Sequence, residues 1–505
     1  MEESLKSNLV GQRKVRLEKL ERIKKLGINP YPAKSNRDIR IGDIKDNFDK
    51  YEGKIHTVAG RIVAWRTHGK LIFADIKDQT GDIQIIVKSD WLEDSEDTLG
   101  WENLDLLDLA DFIEVRGEIA KSRTGEISVI AKGIRILVKS LRPIPRNLKN
   151  KEQKFRRRYL DLVINQERLE LFERKAKFWE VQREFLKKAG FIEVEVPILE
   201  TVTGGADAKP FITHHNALGI DLYLRISTEL YQKRLIGGGF EKIFTLGPNF
   251  RNEGMDDEHL QEYYQLEWYW AYANYKDNME LVKELFLEIA NKIYGKTKFT
   301  TRGFTFDLAD EWKEIDYTQE IKKEFGIDIF NDTDEKMLKV LKSSNIEIEG
   351  EVNRNRMIDT MWKSIRGKLA GPVFLINHPT FLSPLAKVKD SDDKLTERFQ
   401  VIIAGSELGN GYSEINDPLD QLKRFKEQQD LREGGDEEAQ MLDLDFVEML
   451  EYGMPPTSGY GQSERIFWFL EDVSGREGAL FPQMKPELDK YTRKIYKEVL
   501  SKVKK

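Results

Sequence analysis

Between residues 55 and 138 the chain consists of short segments in which apolar and polar residues alternate. Glycine, aspartate and threonine residues typical of turns separate these segments. The segments are HTVAGRIVAW, KLIFADIKD, DIQIIVK, DFIEVRGEIA and EISVIAKGIRI. Alternation with a period of two predicts strands, and about five strands at this spacing predict a small β-barrel of the OB-fold type. The exposed face of such a barrel often binds single-stranded nucleic acid, although a purely structural barrel would have the same pattern.

A helical period precedes the barrel, in the segment KVRLEKLERIKKLGINPYP. It places Leu17, Leu20 and Ile23 on one side of a helix and strongly basic residues on the other. Gly27 and Pro30 are predicted to end this helix, because neither residue continues a helix well.

Longer helices and strands follow the barrel without a regular alternation of the two. The segment ERLELFERKAKFWEVQREFLKKAG puts Leu171, Phe178, Val181 and Phe185 on one helical face, and the strand FIEVEVPIL comes next. Further strands are predicted at LYLRIS, KIFTLGPNF, YYQLEWYWAYA, RFQVIIAG and GYSEI. This irregular order favours an antiparallel sheet flanked by helices, and therefore an α+β fold.

These patterns divide the chain into an N-terminal helix and barrel at residues 1–145, a linker at 146–162 and a long domain at 163–505. The linker is predicted because residues 140–162 combine prolines with dense charge. Residues 275–370 have a mostly helical pattern and are predicted to be an insertion between the strands of the long domain.

Length and composition indicate a globular chain of two or more domains, since 505 residues exceed one ordinary core. No apolar run approaches the roughly 18 to 20 residues of a membrane-spanning helix. The first thirty residues are basic without a following apolar block, so no secretory signal is predicted, and we expect a cytoplasmic protein. The absence of cysteine excludes disulfides and thiolate zinc sites. His214 and His215 would point to opposite faces of a strand, which favours one core and one surface histidine over a metal pair.

The charge is unevenly distributed along the chain. The net charge is −7, yet residues 1–150 contain 28 Lys+Arg against 24 Asp+Glu, so the excess of acidic residues lies in the remainder. A polyanion bound by the first domain and a merely solvated charged surface are both compatible with this distribution.

The segment FRNEGMDDEHLQEYYQLEWYW carries the first candidate chemistry. Arg251 can bind a phosphate or carboxylate with two hydrogen bonds, Glu253 can accept from an exocyclic amine, and His259 can meet a terminal phosphate. The common phosphate-binding glycine signatures are missing, because Ala290 stands where a P-loop before Gly-Lys-Thr requires glycine. If ATP binds, side chains must therefore hold it. A solvated hairpin loop is the alternative.

Three stretches resemble, in order, motifs 1, 2 and 3 of the class II aminoacyl-tRNA synthetases. They are GFIEVEVPIL, FRNEGMDDEH with QLEWYWAYA, and GYGQSERI. Within that class the chain is similar to the lysyl-tRNA synthetases over nearly its whole length. The most specific strings are GGADAKPFITHHNALGIDLYLRISTELYQKRLIGGGFEKIFTLGPNFRNEG, GSELGNGYSEINDPLDQLKRF, YGMPPTSG and LFPQMKP.

The resemblance implies a two-step reaction that attaches L-lysine to tRNA(Lys) through lysyl-adenylate, with ATP as substrate and Mg²⁺ as cofactor. Arg251 would bridge the lysine carboxylate and the α-phosphate, and Glu253 would meet the adenine amine. His259 would meet the terminal phosphate, Tyr263 would stack on the adenine, and Arg465 would cover its other side. Such a site works by positioning and charge stabilisation, without a protein nucleophile.

The resemblance also implies a lysine pocket and a metal site. The positions matching the lysine-binding residues of the family are Gly205, Glu229 and Glu267 at the α-amino end, Asn410 at the carboxylate, Tyr269 and Glu414 at the ε-ammonium, and Tyr412 along the aliphatic stem. Glu407 matches a magnesium ligand. In isolation each glutamate would be taken for a surface residue.

For the first domain the resemblance implies an OB-fold that reads the anticodon. Phe73 would be the stacking platform, and Arg66, Gln84 and Glu126 match positions that contact anticodon bases. From the pattern alone, a core role for Phe73 is equally compatible. Motif 1, including Pro197, forms the dimer interface in this class, which implies a homodimer.

The chain departs from the family pattern at three places. Motif 3 is one residue shorter than usual before its arginine, and Tyr263 replaces the more usual phenylalanine. Gln400 stands where the family has a magnesium-binding glutamate, seven residues before Glu407, and this puts the metal site in doubt.

Three alternatives share part of this pattern. An aspartyl- or asparaginyl-tRNA synthetase has the same domains, but the acidic lysine pocket argues against it. A synthetase-like enzyme that attaches lysine to an elongation factor lacks the anticodon domain. An inactive paralogue that only binds RNA or a protein is the third, although Arg251, Glu253, Glu407 and Arg465 are all retained.

Overall fold

The computed structural model describes residues 2–93, 95–348, 352–435 and 438–502. The chain forms two compact units, of which the first comprises Met1–Asn150 with Met484–Lys505 and the second Lys151–Gln483. Within the described ranges, no helix is both long and apolar enough to cross a membrane.

The first unit contains the closed five-stranded barrel that the alternating segments predict. Its strands pair in the order β1-β2-β3-β5-β4. They are β1 Ile55–His68, β2 Leu71–Lys77, β3 Asp82–Lys88, β4 Phe112–Lys121 and β5 Ile127–Val138. Ile72, Ala74 and Ile76 alternate with outward residues along β2 and are almost completely buried, so the period of two directs one side of each strand into the barrel core.

Helices α1 Glu2–Lys25, α2 Ile41–Asp46 and α3 Phe48–Tyr51 accompany the barrel. Ile23 of α1 is fully buried with the barrel core, which confirms the apolar side of the predicted helix. Lys139, just beyond β5, is also fully buried, and its Nζ donates to Asp108 Oδ2 at 2.6 Å and to Asp111 Oδ2 at 2.7 Å. This ion pair ties the chain after the last strand to the segment before β4.

The second unit is built on an eight-stranded sheet in the order β14-β15-β18-β19-β20-β11-β10-β6. The pairs from β15 to β10 are antiparallel and the two edge pairs are parallel, so the predicted antiparallel sheet is confirmed for its centre. The strands are β6 Ile192–Glu193, β10 Lys242–Phe250, β11 Glu262–Ala271, β14 Lys313–Asp316, β15 Val373–Ile376, β18 Arg398–Ile403, β19 Ser406–Ser413 and β20 Thr457–Ser463.

Three small sheets surround the large one. Their strands are β7 Leu199–Glu200, β8 Ile212–His215, β9 Ile220–Leu224, β12 Lys298–Thr301, β13 Phe304–Asp307, β16 Val388–Lys389 and β17 Asp392–Thr396. His214 is exposed, and its Nδ1 lies 2.8 Å from Asp221 Oδ1, while His215 is half-buried, so neither is the core histidine that the sequence predicts. Within the described residues, no cluster of three or more acidic or histidine side chains has the arrangement of a metal site.

The helices of the second unit cover the sheet. They are α4 Lys151–Arg156, α5 Arg158–Ile164, α6 Gln166–Lys188, α7 Glu229–Gly237, α8 Tyr275–Ile289, α9 Tyr317–Phe325, α10 Asp334–Ser343, α11 Arg354–Arg366, α12 Pro418–Glu433, α13 Leu444–Tyr452, α14 Arg465–Leu470 and α15 Gly475–Gly478. Leu171, Phe178 and Val181 of α6 are buried as predicted, and they pack with Phe244 and Trp268 of the sheet. Two short helices, α16 Lys490–Ile495 and α17 Lys497–Leu500, return to the first unit.

Two predicted segments contain elements that the sequence pattern did not show. Residues 146–162, predicted as an interdomain linker, include the boundary between the two units and contain α4 and most of α5. Arg158 in this segment is fully buried and donates to Asp161 Oδ2 at 2.9 Å and to Leu480 O at 3.0 Å. Residues 275–370 contain α8 to α11, but also the strands β12, β13 and β14, and β14 joins the main sheet. In the first segment, Arg158 and Asp161 form a buried ion pair that a local pattern of dense charge does not reveal.

Candidate active site

A cavity of about 500 Å³ opens over the central strands of the large sheet. Every catalytic, nucleotide, amino-acid and metal residue predicted for the second unit lines it. These residues are Gly205, Glu229, Arg251, Glu253, His259, Tyr263, Glu267, Tyr269, Gln400, Glu407, Asn410, Tyr412, Glu414 and Arg465. The antiparallel order explains this convergence, since β10, β11, β19 and β20 are neighbours in the sheet although they are far apart in sequence.

Arginines mark one end of the cavity. The Arg251 guanidinium lies 5.5 Å from the centre of the Tyr263 ring, and Arg465 Nη1 donates to the Glu407 carbonyl oxygen at 3.0 Å. Arg465 Nε is buried and has no hydrogen-bond partner among the described residues. Two cations beside an aromatic ring suit an anionic ligand with a flat π-face.

The loop between β10 and β11 carries the remaining predicted nucleotide residues. Glu253 and His259 are exposed, and His259 Nδ1 lies 2.8 Å from Asp256 Oδ2. Glu258, which the sequence analysis missed, forms an ion pair with Arg302 and accepts from Ser406 Oγ at 2.8 Å. The loop is thus attached to β19 and to the β12–β13 turn while its polar tips face the cavity.

Three glutamates, Glu229, Glu267 and Glu414, form the opposite end, and each is at most 4% exposed. We call them the acidic cluster. Glu267 accepts from the Tyr269 hydroxyl at 2.7 Å and from Thr228 Oγ1 at 2.8 Å. Burial, followed by the charge of Glu229, raises the pKa of Glu267 above its usual range. Hydrogen bonds therefore offset only part of the cost of burying this charge.

Glu414 has the strongest unmet demand for a positive charge. Burial raises its pKa well above the usual range, and the neighbouring Lys233 opposes that effect. Both of its buried oxygens lack a hydrogen bond of ordinary geometry among the described residues, but Oε2 forms an ion pair with Lys233, whereas Oε1 has no ion-pair partner there. A buried carboxylate oxygen of this kind requires a donor, preferably a cation, to be stable in its charged form.

Glycines leave space at the end of the cavity that contains the acidic cluster, which we call the acidic end. A Cβ atom on Gly459 of β20 would lie 2.4 Å from Glu414 Oε1 and 2.4 Å from Tyr269 Cε1. Gly205 has a φ of +85°, and a Cβ there would approach the Glu229 Cβ to 2.8 Å. Both positions therefore exclude larger residues, and the sequence analysis identified only Gly205.

The middle of the cavity contains Asn410, Glu407 and Gln400. Asn410 Oδ1 accepts from Arg398 Nε at 2.8 Å, which fixes the orientation of the amide. The Glu407 carboxylate is partly exposed, and its Oε2 lies 3.9 Å from Arg366 Nη1. Gln400 is 7% exposed and pairs with Asn410 across β18 and β19. One carboxylate and two amides thus face this part of the cavity.

On the first unit, the four predicted base-contacting residues share the outer face of the barrel. Arg66 pairs with Phe73 across β1 and β2, and its Nη1 lies 2.9 Å from Asp75 Oδ2. Gln84 Nε2 donates to Glu126 Oε2 at 2.8 Å. Phe73 is half-buried, and it alternates with the inward Ile72, so its side chain belongs to the outer face and not to the core.

Comparison with known proteins identifies both units. Residues 150–485 match the family of class II tRNA synthetases for D, K and N, and residues 56–137 match the OB-fold nucleic acid binding domain. The chain belongs to the class II tRNA synthetases. Its relatives include the lysine–tRNA ligase of Thermotoga maritima, 44% identical over 94% of this chain and 95% of the relative. The lysine–tRNA ligase of Fervidobacterium nodosum is 42% identical over 97% and 98%.

Sequence reasoning missed several residues of this synthetase site. Ser227, Thr228 and Gln265 donate to Glu267, and Lys233 is buried against Glu229 and Glu414. One signal was present for Lys233, because a glutamate and a lysine four residues apart on a helix face each other. The other three are short or neutral polar residues whose role depends on the pairing of strands.

Gly459→Ala tests whether the open acidic end is needed. We expect a loss of lysine-dependent ATP–pyrophosphate exchange of at least about tenfold, because the added Cβ overlaps Glu414 and Tyr269, and overpacking costs about 1 to 3 kcal/mol. Gly133→Ala is the matched control, since its Cβ would meet only Thr98 Cγ2 at 3.6 Å in the barrel. Full exchange by Gly459→Ala would contradict the assignment of this end.

Proposed function

We infer that this chain attaches L-lysine to tRNA(Lys) through a lysyl-adenylate intermediate, and that the acidic cluster selects lysine. The observation that carries the choice of amino acid is the buried, unpartnered Oε1 of Glu414 beside Tyr269. A lysine ε-ammonium would satisfy this oxygen. An aspartate side chain would add a fourth carboxylate, and the neutral asparagine would leave the buried charge unpaired.

Lysine is oriented by opposite charges at the two ends of the cavity. Its ε-ammonium lies between Glu414 and Tyr269, and its α-ammonium near Gly205, Glu229 and Glu267. Tyr412 flanks the aliphatic stem. The carboxylate then points toward Asn410 and Arg251, which is the end where the phosphates bind.

Arg251 and Arg465, at the other end of the cavity, hold ATP for the first step. Arg251 contacts both the lysine carboxylate and the α-phosphate, while Glu253 meets the adenine amine. Tyr263 and Arg465 enclose the adenine, and His259 meets the terminal phosphate. A lysine carboxylate oxygen forms a bond to the α-phosphorus and pyrophosphate leaves. In the second step a terminal hydroxyl of tRNA attacks the lysyl carbonyl and AMP leaves, so the protein contributes positioning and charge stabilisation.

The residues at the middle of the cavity fit a magnesium ion that is held mainly by ATP. Mg²⁺ is commonly bound by one or two carboxylates together with substrate phosphates. Glu407 supplies a partly exposed carboxylate, and Gln400 offers a carbonyl oxygen without a charge. The ion, when bound, neutralises phosphate charge during attack on the α-phosphorus.

Two further proposals concern the partners of the chain. The outer face formed by Arg66, Phe73, Gln84 and Glu126 binds the unstacked anticodon bases of tRNA(Lys), with Phe73 as the stacking surface. A second copy of the chain covers the region around motif 1, where apolar side chains are unusually exposed, and Pro197 lies within it. The exposed side chains are Ile192, Ile198, Leu199, Ile212, Leu218 and Ile220. Because the reaction supplies translation, we place it in the cytoplasm.

Lysine should be the only common amino acid that drives ATP–pyrophosphate exchange. Glu414→Gln should weaken lysine binding by about 2 to 5 kcal/mol, because the substitution removes one partner of a buried charge pair. Calorimetry should show unchanged ATP binding. Glu200→Gln is the control, since burial raises the pKa of this other buried glutamate to about 8 and it lies outside the cavity. Exchange driven equally by aspartate or asparagine would refute the proposed substrate.

Phe73→Ala should impair tRNA charging and leave lysyl-adenylate formation intact, because about 1 to 3 kcal/mol of stacking per base is lost away from the cavity. Charging kinetics and exchange are measured on the same preparation. Phe112→Ala, a half-buried aromatic of the same barrel outside this face, is the control. Loss of both activities in Phe73→Ala would show that the residue is structural.

Gln400→Glu should lower the magnesium concentration needed for half-maximal exchange, because a carboxylate adds a charge that a hard divalent cation prefers. Glu407→Gln should be nearly inactive for the same reason. The measurement is a magnesium titration of exchange at saturating ATP and lysine. An unchanged magnesium dependence in Gln400→Glu would exclude a metal role for position 400.

A further inference from the structure

A lysine of the protein itself is buried behind the acidic cluster. Lys233 lies on α7 four residues after Glu229, and its side chain is fully buried. Its Nζ is 2.5 Å from Glu229 Oε1 and also forms an ion pair with Glu414 Oε2. The ammonium group lies 5.5 Å from the centre of the Tyr412 ring and 5.8 Å from that of Phe446.

The two oxygens of Glu414 are thereby used differently. Lys233 contacts Oε2, while Oε1 lies next to Gly459 and Tyr269 at the cavity wall without a partner among the described residues. Glu229 Oε1 is shared as well, between Lys233 and the Tyr412 hydroxyl at 2.6 Å. Lys233 therefore orients two carboxylates and leaves one oxygen of Glu414 for a second cation.

The charges at this end balance only when Lys233 is counted. The acidic cluster carries three negative charges, and Lys233 reduces the total to two. A bound lysine brings two ammonium groups to this end, while its carboxylate is taken up by Arg251. With Lys233 present the acidic end and the substrate are neutral together, which matters because uncompensated charge is costly in a buried site.

We propose that Lys233 is a specificity-determining positioning residue, a permanent counter-ion that sets the charge of the acidic end to match the two ammonium groups of lysine. This inference rests on the proposed lysine pocket. It assigns Lys233 no contact with the reacting atoms. Without Lys233 the three carboxylates would share the excess charge by binding a proton, and lysine would have to displace that proton.

The groups facing Lys233 from every packed element support this account. Helix α7 contributes Glu229, β19 contributes Tyr412, and Glu414 directly follows β19. Glu267 and Tyr269 of β11 lie beside these two glutamates and act on Lys233 through them. Helix α13 contributes the Phe446 ring, while its neighbouring Asp443 and Asp445 pair with Arg234. Burial lowers the pKa of Lys233, but the charges of Glu229 and Glu414 outweigh burial and raise it above its usual value, so the side chain stays charged.

A merely structural ion pair makes a different prediction. It would hold α7 to β19, and its removal would lower the stability of the fold without coupling lysine binding to a proton. Lys139 provides the matched control, because it is also fully buried and bound to two carboxylates, Asp108 and Asp111, in the first unit.

The first experiment measures the lysine dissociation constant of Lys233→Met by calorimetry between pH 6.5 and pH 8.5. We expect weaker binding at pH 7 and an affinity that rises more steeply with pH than that of the unmodified protein, by up to about tenfold per unit, since one additional proton is displaced. Lys139→Met should show the same pH dependence as the unmodified protein. A pH dependence in Lys233→Met no steeper than that of the unmodified protein overturns the proposal.

The second experiment compares lysine binding by Glu229→Gln and by the double variant Lys233→Met/Glu229→Gln. This comparison does not require the single variant Lys233→Met to fold. Glu229→Gln leaves Lys233 in excess, so removing that cation should tighten lysine binding by about tenfold although an ion pair is lost. Equal or weaker binding by the double variant overturns the proposal. Lysine-dependent exchange by the unmodified protein is a separate test, and its absence would refute the proposed function instead.

Discussion

The burial of three carboxylates around one cavity is the constraint on which the catalytic unit depends. Removing an ionised carboxylate from water costs several kcal/mol even after relaxation of the surroundings. Hydrogen bonds donated by Tyr269, Thr228 and Tyr412 offset part of this desolvation free energy, and the positive charge of Lys233 offsets another part. Tyr269 and Tyr412 lie on β11 and β19, which flank β20 in the sheet, and Thr228 and Lys233 lie at the start and in the middle of α7, so the sheet and this helix hold the acidic cluster in place.

Close backbone approach is the second requirement, and it follows from the first. The acidic end remains open because Gly459 allows β20 to pass directly beneath Glu414 and Tyr269. Gly411 of β19 lies against the Gly459 carbonyl and the Phe399 ring, where a Cβ would come within 2.8 Å of both. Large buried rings, including Phe399 and Tyr460, fill the other side of these strands. The polar cavity and the apolar core are therefore two faces of the same glycine-containing strands.

The barrel could be predicted from the sequence because each of its strands has one buried face and a regular period of two. In contrast, TSGYGQS of β20 contains little strand propensity, and its place at the centre of the sheet depends on neighbours that are distant in sequence. Arg158 was assigned to a linker for a similar reason. Its carbonyl partners come from residues near 480, which a local pattern cannot show.

The residues of the candidate site likewise differ in how far the local sequence indicates them. Spacing alone favoured a solvated loop for Arg251, Glu253 and His259, and it favoured the surface for each glutamate of the acidic cluster. Resemblance to a family selected these residues, and the strand order then accounts for their convergence on one cavity. Neither spacing nor the resemblance indicated the pairing of Lys233 with Glu414, because Glu414 is 181 positions away in the chain and only the tertiary fold brings the two charges together.

Opposite charges at the two ends of the cavity explain how one sheet serves both substrates. The family to which the chain belongs covers three amino acids, so its fold alone does not select lysine. Selection requires a difference in charge at the amino-acid end, whereas ATP recognition at the Arg251 and Arg465 end can stay the same. Because the lysine carboxylate carries the charge opposite to its ammonium groups, the field along the cavity also fixes which end of lysine meets the α-phosphate. Recognition of the side chain and orientation for reaction are thus produced by the same separation of charge.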